Sequence, residues 1–247
     1  MHGVAVKTRS QDTGKKTRKY LNKKRAYRVL NKIGNMKLEK TKEAVQMKVT
    51  WRLIAKSISA GIAIGIGGAA YLSTGNPWVF SIGLLMVCYF GLNLFTGKVS
   101  YFDGKDLPAY LVMWLYNTIA AYLMGILIAA CKPELVEKAS SMAATKLGEG
   151  AMIIPLAILC NIMIYVAVET RSHLSGPFSF ISGVLLIFAT TIFVICGFEH
   201  CIANAFYFGV AGVFSFKMAF FLLINAFWNA VGGIIAHRLI FMRSEHV

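Results

Sequence analysis

The chain has 247 residues, of which 57% are hydrophobic, and a mean hydropathy of +0.60. A soluble domain rarely averages so high, and several apolar runs reach the roughly 20 residues that cross about 30 Å of hydrocarbon, which excludes a soluble enzyme built around an internal core. The net charge of +15 is local: residues 1–56 hold 17 of the 26 Lys and Arg and only three acids, Asp12, Glu39 and Glu43, while the remainder is about neutral.

A basic block directly before an apolar run reads as a cytoplasmic segment that holds orientation. Binding of nucleic acid is not expected, because no recognition motif accompanies the charge. Residues 1–35 read as polar and disordered. Residues 36–49 mix charged and apolar positions, and Leu38, Val45 and Val49 form one face of an expected surface helix. Met36 is a possible start of the functional chain. No apolar signal-peptide core stands at the N-terminus. The expected organisation is a basic segment over 1–50, a membrane domain over 51–242 and a short tail over 243–247.

The first span is expected over 51–72, with small residues at Ala60, Gly61, Gly65, Gly67 and Gly68 that let helices approach closely. A turn over 73–77 leads to a second span that is apolar to Phe90. Polar residues 103–106 precede Pro108, which opens a third span over 109–130 containing Asn117. Residues 132–149 form a charged but balanced loop. The fourth span covers 150–168 with Asn161, the fifth 178–196, and the sixth 217–241 with Asn229, Gly232 and Gly233. Six spans put both termini on one side, and the basic ends make it the cytoplasm. Two halves of three spans must be inverted relative to each other, an arrangement that recurs in transporters.

Two stretches interrupt this pattern. Residues 91–102 and 197–208 have equal length; both open with Gly and close with Tyr-Phe. The second sets Glu199 beside His200, where an ionisable group costs roughly 2.5–3.5 kcal/mol on insertion scales. The reading is two broken helices, the second and the fifth, facing each other across one pore. The five cysteines lack metal-ligand or disulfide spacing and read as packing residues. An intramembrane hydrolase is disfavoured, since there is no Gly-x-Ser-x-Gly and no second His at ligand spacing.

Leu94-Phe95-Thr96-Gly97 and Gly197-Phe198-Glu199-His200-Cys201-Ile202-Ala203-Asn204 resemble the two loop motifs of the formate/nitrite transporter family. Ser59-Ala60-Gly61, Cys160-Asn161 and Asn229-Ala230-Val231-Gly232-Gly233 match as well, so the resemblance covers about residues 50–242. It implies an all-α membrane protein with aquaporin-like protomers, each with its own pore, in a homopentamer of a bacterial-type cytoplasmic membrane. It implies passage of small monovalent weak-acid anions such as formate, nitrite, hydrosulfide, lactate or acetate, and no cofactor. By motif match, His200 is the central His between two apolar constrictions, with Thr96, Asn204 and the vestibular Lys146 at family positions. Two departures stand out: a shortened segment after Thr96, and Lys98 where a neutral residue is common. The alternative is a water or neutral-solute pore of the same shape, but neither break contains Asn-Pro-Ala; Asn76-Pro77 lies outside both.

The chemistry fits an acid pore. A bare ion in a dry site costs of order 20 kcal/mol in the Born limit, whereas a protonated weak acid avoids most of that. His exchanges protons near neutrality, with an unperturbed pKa of about 6.5. His200 is therefore expected to exchange a proton with the permeant, helped by the positive potential of Lys146 and by half-helix N-termini. Glu199 is expected to hold loop N–H groups. Asn117, Asn161 and Asn229 are expected to bond between helices or to the loops, and Asn204 to supply local polarity. Thr96 either donates to an anion or caps a half-helix, with the former favoured. Phe95, Phe206 and Phe208 are constriction candidates, an aromatic core being nearly equal for each. His2, His173 and His237 receive no role.

Overall fold

The computed structural model describes residues 47–102, 104–173 and 179–244, and all regular structure in them is helical. The basic leader and most of the expected surface helix lie outside these residues. Residues 47–50 are not helical; Thr50 caps the first helix, its hydroxyl accepting from Leu53 N at 3.2 Å.

Helix α1 (Trp51–Thr74) stops at Gly75, whose φ of 69° is the left-handed cap that Gly permits. A 3-10 turn (Pro77–Phe80) runs straight into α2 (Ser81–Tyr89). After an interruption comes the four-residue α3 (Phe95–Lys98), which tightens into a 3-10 turn at Val99–Tyr101. Helix α4 (Leu107–Cys131) has Pro108 in its first turn, where a missing N–H costs nothing.

The connection over 132–149, expected as a loop, is mostly helical: a 3-10 turn (Pro133–Leu135) and α5 (Val136–Gly148). Ala139 and Ala143, one turn apart, form its buried face. Glu137 in its first turn and Lys146 in its last match the helix dipole. Of the balanced charges that suggested a loop, Glu137 and Lys138 lie on the outer face of this helix, while Lys146 turns inward. Helix α6 (Ile153–His173), α7 (Ser179–Ile195), α8 (Cys201–Val210) and α9 (Phe216–Ser244) complete the chain.

Among the described residues four apolar stretches, Trp51–Thr74, Leu107–Cys131, Gly150–Thr170 and Phe216–Ile240, are long enough to cross a membrane. The shorter apolar helices α2 and α7 each end at an interruption followed by a second helical piece.

Helix α1 packs on α4, α6 on α9, and α8 on α4. The last contact depends on two glycines. A Cβ on Gly125 would sit 2.7 Å from Val210 N, and one on Gly209 would sit 3.0 Å from the Tyr122 carbonyl carbon. Backbone meets backbone there, so every residue of α8 is buried. Outward, Leu111, Leu115, Ile119 and Leu123 of α4 and Phe220, Leu223 and Phe227 of α9 stay exposed at helical spacing. An apolar exterior of that kind suits lipid or a neighbouring subunit, not water.

Candidate permeation site

The two interruptions share a backbone. Gly91 and Gly197 both turn the chain with positive φ, 58° and 66°. Three residues on, Leu94 (φ −90°, ψ 125°) and His200 (φ −102°, ψ 112°) hold the same extended conformation as N-caps of α3 and α8.

Each break is held by one buried Asn from a long helix. Asn117 Oδ1 accepts from Phe95 N at 2.8 Å, and its amide donates to Ser57 O at 2.7 Å and Asn93 O at 3.0 Å. Asn229 Oδ1 accepts from Cys201 N at 3.0 Å, and its amide donates to Ala157 O and Glu199 O, both at 2.8 Å. In each case one side chain satisfies the first N–H of the half-helix, a carbonyl of the break and a carbonyl of a neighbouring helix. Away from water those groups need such partners.

The breaks meet at His200 and Thr96, 2% and 0% exposed. His200 Nδ1 accepts from Ala203 N at 3.1 Å. A backbone N–H can only donate, so the proton of the neutral ring is on Nε2. Nε2–H then donates to Thr96 Oγ1, 2.9 Å away. Phe193 stacks on the imidazole with centroids 5.8 Å apart, and Phe80 meets Phe193 edge-on at 5.5 Å.

A cavity of about 120 Å³ opens on one side of this pair, lined by Phe80, Lys146, Phe193, His200, Asn204 and Tyr207 among others. Lys146 Nζ donates to Glu199 Oε1 and Asn204 Nδ2 to Glu199 Oε2, both at 2.5 Å. A second cavity, about 330 Å³, is lined by Val87, Gly91, Leu94, Lys98, Tyr101 and Val168. Lys56 Nζ donates to Gly91 O at its edge at 2.8 Å. Lys56 is near the start of α1 and Tyr71, which lines the first cavity, near its end. At 1.5 Å rise per residue, the two cavities therefore lie at opposite ends of α1, roughly 20 Å apart along it. Leu94, Thr96 and His200, all nearly fully buried, stand between.

The structure thus brings His200, Thr96, Asn204, Glu199 and Lys146 into one cluster. The Glu199 carboxylate goes to Lys146 and Asn204, not to loop N–H groups; Asn229 accepts from Cys201 N, and backbone carbonyls take the N–H groups of Gly197, Phe198 and Glu199. Lys146 is accordingly half of an ion pair rather than a free positive charge; its side chain is 13% exposed and that of Glu199 1%. Asn161 is wholly buried, and neither amide atom has a hydrogen-bond partner among the described residues. Phe206 fills the space over Gly65 and Gly68 and Phe208 packs on Phe221, so both are core. Phe95 lines a separate apolar groove with Phe102, Tyr110 and Trp114.

Phe80 and Phe193 are the aromatic residues that sequence reasoning missed. Phe193 is in the last turn of α7, seven residues before His200, and the chain leaves the helix between them, so no helical spacing marks the contact. Phe80 comes from the 3-10 turn before α2 and carries no local signal. His237, given no role, bonds Tyr165 Oη at 3.2 Å and packs on Tyr101. The Tyr101 hydroxyl donates to Glu169.

The family model "Formate/nitrite transporter" matches residues 29–243, reaching further upstream than the motifs alone indicate. The formate channel FocA of Haemophilus influenzae is 30% identical over 184 residues, which are 60% of this chain and 62% of that channel, so the chain spans just under two thirds of its length. The uncharacterized transporter YwcJ of Bacillus subtilis is 30% identical over 74% of this chain and 81% of its own. A solved pentameric formate channel with formate bound shares the fold, with a TM-score of 0.70 at 20% identity over 79% of this chain and 97% of that one. An FNT family ion channel does so at a TM-score of 0.67, 20% identity, 78% and 89%. With a family match across most of its length and the two breaks in the matched region, the chain belongs to the formate/nitrite transporter family.

Proposed function

We propose that the chain is a channel or transporter for small monovalent anions of weak acids, such as formate, nitrite or hydrosulfide, in which His200 exchanges a proton with the permeant. The observation that carries this reading is the His200–Thr96 pair, 2.9 Å apart and buried, between two cavities that each carry a lysine. An anion cannot cross that stretch bare, since desolvation in a low-dielectric site costs many kcal/mol. A neutral acid can, and Nε2–H with the Thr96 hydroxyl supplies hydrogen bonds for it between the two cavities.

In this reading α1, α4, α6 and α9 cross the membrane continuously, and α2–α3 and α7–α8 are broken crossings. The two halves form an inverted three-plus-three repeat. The matched backbones at Gly91 and Gly197 and the matched Asn117 and Asn229 support it. Both termini then face the cytoplasm, the Lys146 cavity opens outward and the Lys98 cavity inward. Likeness to a pentameric channel supports a homopentamer whose subunits each hold a pore, placed in a bacterial-type cytoplasmic membrane. The apolar faces of α4 and α9 then meet lipid or neighbours.

The test is uptake by proteoliposomes of formate, nitrite and hydrosulfide against glycerol. Uptake of the acids but not glycerol is expected. His200→Phe is expected to remove the pH dependence; anion flux with an unchanged pH profile in that variant refutes the role of His200. Glycerol flux equal to formate flux would favour a neutral-solute pore.

A further inference from the structure

Glu149 is used by nothing described so far. It ends the connection from α5, with its backbone N–H bonded to Lys146 O at 3.2 Å and its carbonyl accepting from Met152 N at 3.2 Å. Its side chain turns inward. Oε2 is buried and has no hydrogen-bond partner among the described residues. The carboxyl lies within hydrogen-bonding reach of Glu199, whose two oxygens already accept from Lys146 and Asn204. Lys146 is ion-paired with Glu199 and acts on Glu149 only through its charge. A hydrogen bond between carboxyls exists only when one of them carries a proton, and like charges at such a site cannot both ionise easily.

We propose that Glu149 and Glu199 form a proton-binding site beside Lys146, which itself lines the cavity, one proton being shared between the two carboxyls and resident on Glu149. That proton makes the Glu149 carboxyl the donor and the Glu199 carboxylate the acceptor. Burial and the charge of Glu199, partly opposed by Lys146, push the Glu149 carboxyl up to about 7. Below that pH Glu149 is protonated, and Lys146, Glu199 and Glu149 sum to zero. Above it the cluster carries one negative charge, which opposes an arriving anion. The other titratable groups around the cluster are His200 and Cys201 at the break, Cys160 on α6, Tyr207 on α8 and Tyr71 on α1. Lys217 lies in the exposed first turn of α9. None of these adds a third carboxyl.

The infrared arm of the test does not depend on what the protein transports. Spectra of the full chain in lipid are expected to show a protonated carboxyl band that disappears as the pH rises through about 7 and is missing from Glu149→Gln. Glu199→Gln removes the neighbouring charge and is expected to move that loss to lower pH. Absence of the band in the wild type, its survival in Glu149→Gln, or an unmoved titration in Glu199→Gln each overturns the shared proton.

The transport arm rests on the anion reading and compares formate uptake by Glu149→Gln and wild type at equal pH, so that the titration of formate itself cancels. The amide mimics the protonated form. The variant-to-wild-type ratio is expected near one at about pH 6 and about tenfold higher at about pH 8, one unit above the site. A ratio flat across that range overturns the effect on anion capture. If neither protein takes up formate, the anion reading fails, and the infrared band alone decides the proton site.

Discussion

Replacing Asn229 by Ala removes three hydrogen bonds at once: the acceptor for Cys201 N and the donors to Ala157 O and Glu199 O. All the groups left behind are buried. If each orphan cost its full desolvation, about 1–3 kcal/mol apiece, the loss would be roughly 3–9 kcal/mol. The unfolded reference in a micelle or bilayer is itself apolar and finds other partners, and measured interhelical bonds there are worth about 0.6–1.7 kcal/mol. That smaller scale governs, so Asn229→Ala is expected to lose roughly 2–5 kcal/mol. Asn161 is the internal control. It is as buried as Asn229 and packs beside Gly233, yet its amide has no partner among the described residues. Asn161→Ala is expected to change stability by less than about 1 kcal/mol. The assay is unfolding by sodium dodecyl sulfate in mixed micelles, followed by far-UV circular dichroism. Equal losses for the two variants would refute the assignment of Asn229 as the residue that holds the break.

Thr96→Val keeps the shape of the side chain but removes the acceptor for His200 Nε2–H; a lost bond of about 1.4 kcal/mol corresponds to a roughly tenfold fall in formate flux, read in proteoliposomes. Gly125→Ala sets a methyl against the backbone of α8, with Val210 N 2.7 Å away; overpacking costs typically about 1–3 kcal/mol, and the yield of folded protein in size-exclusion chromatography should drop. Lys146→Met leaves Glu199 unpaired where it is 1% exposed; breaking a buried pair from one side costs about 3–5 kcal/mol, and Lys146→Met with Glu199→Gln should recover most of it in the same unfolding assay.

The apolar runs and the two interruptions were legible because each signal is local: run length, a Gly that turns the chain, an expensive pair of polar residues. His200 and Thr96 were found by motif, and their juxtaposition required both breaks to fold. Charge balance hid α5, because polar residues on an exposed helical face look the same as those in a loop. Glu199 was misread for a related reason. Its partner Lys146 is 53 residues away, and nothing in the break itself distinguishes a carboxylate that caps N–H groups from one that meets an ammonium. Of the two readings held open for the candidate phenylalanines, Phe206 and Phe208 take the aromatic core, because proximity along the chain to the break does not decide which way a ring points. Phe206 faces Gly65 and Gly68 on α1, and those glycines are the reason it can be buried there.

The two breaks share a frame but not a chemistry, and the differences fall position by position. Leu94 stands where His200 does, Asn93 where Glu199 does, Thr96 where Ile202 does and Lys98 where Asn204 does. The frame depends on Gly91 and Gly197 for the turn and on Asn117 and Asn229 for the clamp, so the remaining side chains can differ without disturbing it. A His at both caps would set two rings near one gap, and protonating one would disfavour protonating the other. Leu94 instead gives that cap an apolar wall, 1% exposed, and the polar neighbour of His200 is Thr96, two residues further on. A hydroxyl suits that place because it both accepts and donates. It accepts a hydrogen bond from Nε2–H while the ring is neutral, and in the proposed function its own O–H is left to donate to an oxygen of the permeant. An ammonium there would hold an anion too tightly to release it, and a carboxylate would turn it away.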